Sequence, residues 1–301
     1  MRPVTVLRPA GLTLALLLLT ACAESGGTGT APAPVPEAES GSGSGAGAVV
    51  LPEAEDALVL QVEQTGGFVT PEMLAGRLPI VSVYGDGRVI TQGPVIAIYP
   101  APAWPNVQVQ QADRSTVQEL AERALAAGID QTADLGSPPL ADAPSTRFTL
   151  VTDDGPITRE VYALQEAEGA GGLTAEQEAA RAQLRDLLAD LTDLTATLGD
   201  DDAAPAPYEP AAVAALARPW SAPADDTEQP ELTWPGPELP GEPIAPGVTC
   251  VTATGEEARA LAEAARGATT LTPWVGADGA RWSITFRPLL PEESGCADLT
   301  G

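Results

Sequence analysis

Two pairs of adjacent carboxylates are the residues of this chain with the clearest capacity for chemistry. Asp153-Asp154 and Glu292-Glu293 could supply the acid and the base of a glycosidase, which needs two carboxyl groups beside one sugar bond. Adjacent acids also arise by chance in a chain that has 42 acidic residues among 301. The alternative interpretation is a hairpin turn at Asp153-Asp154 and a solvated loop at Glu292-Glu293.

The residue types that the chain lacks exclude most common catalytic mechanisms. All 15 basic residues are arginine, so there is no histidine for a general base or a zinc site and no lysine for a Schiff base or a P-loop. No cofactor or metal is indicated, because the run Asp200-Asp201-Asp202 lacks the spacing and the glycine of a calcium loop. The net charge of −27 argues against binding to nucleic acid.

The amino terminus has the features of a lipoprotein leader. Arg2 and Arg8 precede an apolar run over residues 10–21, which is shorter than the roughly 20 apolar residues that span a bilayer. The string LTAC, which ends at Cys22, resembles the lipobox of bacterial lipoproteins, in which the cysteine is acylated and becomes the first residue. This resemblance implies a signal peptide over residues 1–21 and attachment to the membrane through lipid on Cys22. The alternative is an ordinary secretory leader with an incidental cysteine.

The other two cysteines are predicted to form a disulfide. Cys250 and Cys296 remain once Cys22 is acylated, and an exported chain enters a compartment in which they can pair. A loop of roughly 47 residues closed in this way would stabilise the fold by about 4 kcal/mol in the chain-entropy model. No thiol would then remain as a nucleophile.

Recognition surfaces are the remaining candidates for function. Trp104, Trp220 and Trp234 lie beside prolines and could dock a glycan or a peptide, or could instead clamp a loop onto the body of the protein. Arg281 and Arg287 alternate with apolar residues in the last predicted strand, which places both on its solvent-facing side. There they could bind an anion or neutralise acidic neighbours.

Composition divides the chain into five parts that would position these residues. In order they are the leader over residues 1–21, the lipidated cysteine and a disordered Gly/Ser/Pro-rich tether over 22–54, a first α+β unit over 55–198, an acidic Pro-rich linker over 199–247, and a second unit with the disulfide over 248–301. Within the linker only residues 211–220 have the apolar character of an ordered element, as a buried strand or a short helix.

Both folded units have the same predicted order of elements. A strand, a helix and an Asp-Gly hairpin occur over residues 107–164 and again over 248–291, because an Asp-Gly step suits the positive φ that a tight hairpin turn requires. Ser115 with Gln118, and Thr174 with Gln177, have the spacing of a capping box at a helix start. The sequence therefore predicts an α+β fold of antiparallel hairpins with packed helices, arranged as two β-α-β-β units.

Three strings resemble uncharacterised secreted lipoproteins from high-GC Gram-positive bacteria. They are YGDGRVI, ITREVYAL and LTPWVGADGARWSITFRPLLPEESGC. The likeness covers about residues 80–164 and 248–296, and it implies a location on the extracellular face of the cell membrane without implying an activity. We therefore expect a lipid-anchored, non-catalytic binding module or envelope accessory factor whose partner is an envelope protein or a glycan. The alternative is a carboxylate-dependent hydrolase acting on cell-wall glycan.

Overall fold

Strands and a few helices alternate along the chain in the computed structural model, which describes residues 49–193, 204–224, 227 and 229–300. The predicted leader, Cys22, the tether up to residue 48 and Asp200-Asp201-Asp202 lie outside the described residues. The prediction of a disordered tether is wrong at residues 49–54, because Val49 is buried in the first core and Leu51 packs against it. The described part has the α-helices α1 Pro71–Ala75, α2 Arg114–Ala126, α3 Ala175–Thr192 and α4 Gly255–Arg266, and a 3-10 helix at Cys296–Leu299. Its strands are β1 Leu58–Gly66, β2 Val81–Tyr84, β3 Arg88–Gln92, β4 Val107–Gln111, β5 Pro144–Thr152, β6 Gly155–Tyr162, β7 Ala206–Pro207, β8 Ala212–Pro219, β9 Leu232–Thr233, β10 Glu242–Ala245, β11 Val248–Thr254, β12 Trp274–Val275 and β13 Arg281–Pro288.

The first sheet has seven antiparallel strands in the order β6-β5-β1-β2-β3-β4-β7. Two predicted Asp-Gly hairpins are confirmed, since β2 turns into β3 at Asp86-Gly87 and β5 turns into β6 at Asp154-Gly155. Gly87 has φ +88°, and a Cβ at this position would lie 2.0 Å from the carbonyl oxygen of Ala112. Only glycine fits both requirements, so this residue allows β3 to turn back beside β2.

The second sheet has six strands in the order β10-β11-β8-β13-β12-β9, and β8 lies at its centre. β8 pairs antiparallel with β11 on one side and with β13 on the other. The sequence predicts a linker over residues 199–247, but this segment supplies β8, β9 and β10 to the second sheet and β7 to the edge of the first. The linker prediction is wrong at these strands, and the two sheets are joined through ordered structure.

Burial on both faces explains why β8 is hard to assign from its sequence. Residues 213–217 are all buried: Val213 and Ala215 pack in the core under α4, whereas Ala214 and Leu216 pack on the opposite face. A strand buried on both sides loses the alternation of polar and apolar residues that distinguishes strands from helices. The apolar run is therefore compatible with either a strand or a helix. Pairing with strands far away in the chain stabilises the strand.

The layers follow the order helices, first sheet, second sheet, helix. Buried residues of α2 and α3 pack against the first sheet in one core, and buried residues of α4 pack against the second sheet in another. The inner faces of the two sheets meet through smaller clusters to which the segment after β13 contributes Leu289 and Leu290. The fold is therefore α+β, as predicted, with both inner sheet faces covered.

The predicted strand-helix-hairpin order occurs twice, as β4-α2-β5-β6 and as β11-α4-β12-β13. Neither unit is continuous in its sheet, however. β1, β2 and β3 lie between β4 and β5, and β8 lies between β11 and β13. Each unit therefore depends on strands from elsewhere in the chain to complete its sheet.

The two predicted capping boxes can be compared with the observed starts of the helices. The Thr174-Gln177 capping box is present at the start of α3, with both reciprocal hydrogen bonds formed. The Ser115-Gln118 box is wrong, because α2 begins at Arg114 and its N-cap is Asp113.

The predicted disulfide between Cys250 and Cys296 is present, with Cα atoms 5.9 Å apart. It attaches the carboxy-terminal segment to β11 of the second sheet. Within the described ranges, no helix combines the length and the apolar character needed to cross a membrane.

Candidate functional site in the cleft between the sheets

A cleft of about 710 Å³ opens between the two sheets. One wall comes from β1 and the region of α1, and it includes Gln61, Glu63, Gln64, Thr65, Leu74 and Arg77. The other wall comes from β10, the end of β13 and the segment that follows it, and it includes Ile244, Arg287, Glu292, Glu293 and Asp298. Sites for small molecules commonly have volumes of about 300–1,000 Å³, so the cleft could hold a small molecule or a short segment of a polymer.

Glu292 is fixed to the first sheet across the cleft wall. Its carboxylate accepts a 2.6 Å hydrogen bond from the hydroxyl of Tyr84 and a 2.9 Å hydrogen bond from the side-chain amide of Gln61. Burial, together with the negative charge of Glu292, raises the pKa of Tyr84 far above its usual value. Tyr84 therefore remains a proton donor, and Glu292 remains an acceptor that is already engaged.

Glu293 forms a buried ion pair with Arg287. The distance between Arg287 Nη2 and Glu293 Oε1 is 2.6 Å, and the backbone N–H of Leu290 donates to the other carboxylate oxygen at 2.7 Å. Burial raises the pKa of Glu293, and the nearby guanidinium of Arg287 offsets part of this effect. Arg287 also donates to the carbonyl oxygen of Arg77 at 3.3 Å and to that of Pro288. The pair thus connects β13 with the α1 region.

On the opposite wall, Arg147 bridges two carboxylates across neighbouring strands. Strand register places Arg147 beside Glu63 on β1 and beside Glu160 on β6. The nitrogen–oxygen distances are 3.2 Å to Glu63 and 3.0 Å to Glu160. Glu63 and Glu160 thus share one guanidinium, which holds the carboxylate of Glu63 in place at the cleft.

Asp298 is held in a similar way by the loop that contains it. Its carboxylate accepts hydrogen bonds from the backbone N–H groups of Ser294 and Gly295 and from the hydroxyl of Ser294. These donors lower the pKa of Asp298, chiefly through the backbone N–H of Ser294. All four carboxylates of the cleft thus have partners from the protein.

A few donors remain available for a ligand. Arg77 uses Nη1 to donate to the carbonyl oxygens of Gln64 and Gly66, and within the described part of the chain its Nη2 has no partner. Gln64 contributes its backbone to the lining, because its side chain is on the face of β1 that carries the core residues Leu60 and Val62. The cleft therefore combines a lining that is fixed by hydrogen bonds with the free N–H groups of Arg77 Nη2.

The acidic pairs singled out in the sequence have different positions. Glu292 and Glu293 both line the cleft. Asp153 and Asp154 are exposed in the turn between β5 and β6 and do not line it. The hairpin interpretation is therefore confirmed for Asp153-Asp154, whereas Glu292-Glu293 is more than a solvated loop.

Trp104 and Trp234 belong to the packing under the second sheet. Trp234 is 8% exposed, lies 5.8 Å from the ring of Trp274, and donates from its indole nitrogen to the carbonyl oxygen of Pro237 at 2.6 Å. Trp104 is half-buried, with its ring centroid 6.2 Å from that of Phe286. The prediction that Trp234 belongs to a binding surface is wrong. Both tryptophans hold loops against the core instead.

Arg281 and Trp220 lie together at the edge of β13, away from the cleft lining. The guanidinium carbon of Arg281 is 5.7 Å from the centroid of the Trp220 ring, and Arg281 pairs with Glu231 at 2.6 Å. Arg281 is exposed as predicted, and it neutralises an acidic neighbour. Arg287 is only 2% exposed, so its predicted solvent-facing position is wrong. The first sheet covers this face of β13, which periodicity within one strand cannot reveal.

Sequence reasoning missed Gln61 and Glu63. They lie on β1, in the stretch LVLQVEQTG, where polar residues look like the solvent-facing side of a half-buried strand. That signal identifies a polar face but not the second sheet opposite it. Among the described residues, no group of three or more cysteine or acidic side chains is placed to hold a metal ion.

No protein-family model, curated protein or solved structure matches this chain.

Proposed function

We propose that the protein is a lipid-anchored, extracytoplasmic binding protein of the cell envelope whose ligand site is the cleft between the sheets. The observation that carries this proposal is the state of the cleft carboxylates. Glu63, Glu292 and Glu293 are each held by an arginine, a tyrosine or an amide of the protein. Such a lining is preorganised for recognition, because its charged groups need not rearrange when a ligand enters.

The remaining donors indicate the chemistry of the ligand. Arg77 would donate hydrogen bonds, and Leu74 and Ile244 would cover apolar parts of the ligand. A short segment of envelope glycan, rich in hydroxyl and carbonyl acceptors, fits this combination.

Ligand titration tests the cleft. We expect soluble saccharide fragments of the cell wall to bind the folded chain, and Arg77→Ala to weaken that binding about 10- to 100-fold, as the loss of a hydrogen bond from a charged donor would. Calorimetry or ligand-observed NMR measures both affinities, and the unfolding transition shows that the variant is folded. The matched control is Asp153→Asn, which changes an exposed polar residue outside the cleft and should leave the affinity unchanged. Equal binding by the wild type and a folded Arg77→Ala would contradict this assignment of the site.

A glycan hydrolase is the second candidate, and one observation favours it. Glu292 and Glu293 line the same cleft, and burial raises the pKa of Glu293, as a general acid requires. The hydrogen bonds from Arg287 and Tyr84 argue against it, because both carboxylates are occupied by the protein. Release of reducing ends from the same fragments, abolished in Glu293→Gln but not in Asp153→Asn, would decide for the hydrolase.

The lipid anchor has its own test. We expect the wild-type chain to sediment with the membrane fraction and the variant Cys22→Ser to appear in the medium or the soluble fraction, because acylation needs the thiol. Fractionation with immunodetection measures this, and Ser25→Ala serves as a control that leaves the cysteine intact. A wild-type chain found only in the medium would show an ordinary secretory leader instead.

A further inference from the structure

Exposed hydrophobic side chains concentrate in two loops of the first sheet. Eight large hydrophobic residues are exposed in the described part of the chain, and seven of them lie in these two loops. Phe68, Met73 and Leu74 occur in the loop over residues 67–80, between β1 and β2. Val95, Ile96, Ile98 and Tyr99 occur in the loop over residues 93–106, between β3 and β4. We call these residues the apolar edge, without Leu74, which lines the cleft.

Both loops leave the same end of the sheet. β1 is antiparallel to β2, β2 to β3, and β3 to β4, so β1 and β3 end where β2 and β4 begin. A hydrogen bond of 3.1 Å from the Gln92 amide to the carbonyl oxygen of Leu78 joins the base of one loop to the other. The exposed side chains of both loops therefore lie at one end of the first sheet.

The apolar edge presents no outward charge, although the chain is strongly acidic. Residues 89–112 contain no charged residue, and the loop over 67–80 contains only Glu72 and Arg77. Glu72 is directed inward, where it accepts from Thr285 Oγ1 at 2.6 Å and pairs with Arg218. Arg77 donates to backbone carbonyl oxygens of β1. Asp142, which is exposed and whose carbonyl oxygen accepts from the N–H of Phe68 at 3.1 Å, borders the edge, so we expect insertion to centre on the uncharged loop over residues 93–106.

We propose that the apolar edge inserts into the interface of a lipid bilayer and gives the protein a second membrane contact beside the acyl chains. Protruding aliphatic residues with a tyrosine suit this interface, where the aliphatic side chains enter the acyl boundary and the tyrosine lies at headgroup level. The lipid surface should be zwitterionic, because the net charge of −27 is repelled by anionic headgroups.

The chain between the acylated cysteine and the folded body is long enough for this arrangement. Val50, at the start of the described body, accepts from the N–H of Asp153 in the β5–β6 turn, which is at the end of the sheet opposite to the apolar edge. The 26 residues from 23 to 48 could extend to at most about 90 Å, whereas the nine residues of β1 span about 30 Å. The lipid and the apolar edge can therefore reach one bilayer.

Vesicle flotation tests this proposal independently of acylation and of the cleft. The protein is the chain from Ala23 onward, which has no acyl group and retains every described residue; its fold is checked by its unfolding transition and by the absence of free thiols. We expect it to float with phosphatidylcholine vesicles, less so when phosphatidylglycerol is added. The variant Ile96→Ser/Ile98→Ser should lower partitioning by roughly 100-fold, because each buried aliphatic side chain contributes about tenfold or more.

Val50→Ser is the matched control, since Val50 is 63% exposed but lies at the opposite end of the sheet. It should bind vesicles as the wild type does. Failure of the wild type to float, or equal flotation of the double variant, would overturn the proposal. Sedimentation provides the competing outcome: self-association of the wild type that disappears in the double variant, without binding to vesicles, would assign the apolar edge to a second copy of the chain.

Discussion

Replacement of Glu293 by alanine is expected to lower the free energy of unfolding by about 3–5 kcal/mol. The side chain of Arg287 is 2% exposed and that of Glu293 is 13% exposed, so alanine leaves a buried guanidinium without its carboxylate. The Leu290 N–H loses its acceptor as well. Denaturant unfolding followed by tryptophan fluorescence measures the loss.

Glu160→Ala is the matched control for this prediction. Glu160 pairs with Arg147 at 3.0 Å, but the two side chains are 45% and 39% exposed, so the expected cost is below about 1 kcal/mol. The double variant Arg287→Met/Glu293→Met should recover most of the stability, because it removes both buried charges. Equal losses for Glu293→Ala and Glu160→Ala would show that burial of the pair does not matter.

Removal of the disulfide is the second change with a large expected effect. The variant Cys250→Ala/Cys296→Ala should lose about 4 kcal/mol, since the closed loop of 46 residues restricts the unfolded chain. Cys250 is 3% exposed on β11, and Cys296 begins the 3-10 helix. The bond therefore also holds the segment that carries Glu292 and Glu293 against the second sheet, and the variant should bind cleft ligands more weakly.

Two measurements check the disulfide prediction. A thiol assay on the unfolded, unreduced chain from Ala23 should find no reactive cysteine, and the denaturant midpoint of the double variant should fall. Cys22→Ser in the intact chain is the control, because Cys22 is predicted to precede the folded units and its loss should leave the midpoint unchanged. An unchanged midpoint in the double variant would show that the carboxy-terminal segment is held by packing alone.

Local patterns predicted the parts of the fold that depend on neighbouring residues. The Asp-Gly hairpins at Asp86-Gly87 and Asp154-Gly155 follow from the positive φ that their turns need, and the Thr174-Gln177 box follows from the orphan N–H groups at a helix start. Counting cysteines, on the expectation that the chain is exported, was sufficient to predict the Cys250–Cys296 bond. The acylation of Cys22 and the binding function stay predictions.

Only some residues of the cleft could be predicted from the sequence. The pair Glu292-Glu293 was singled out for its chemistry, whereas Gln61 and Glu63 on β1 looked like an ordinary wet strand face. Arg287 was assigned to solvent for the same reason. In each case periodicity identified the polar face of the strand correctly, but it could not identify the surface that packs against that face.

The sequence by itself determined the α+β class, the positions of most hairpins and helices, and the partner of each paired cysteine, because these depend on backbone conformation and on composition. Only the tertiary structure decided that β8 completes the second sheet, that Arg287 is buried against Glu293, and that a cleft lies between the sheets. The physical reason is that strand pairing and sheet stacking join residues far apart in the chain, and no local pattern records which distant surface will cover a given face.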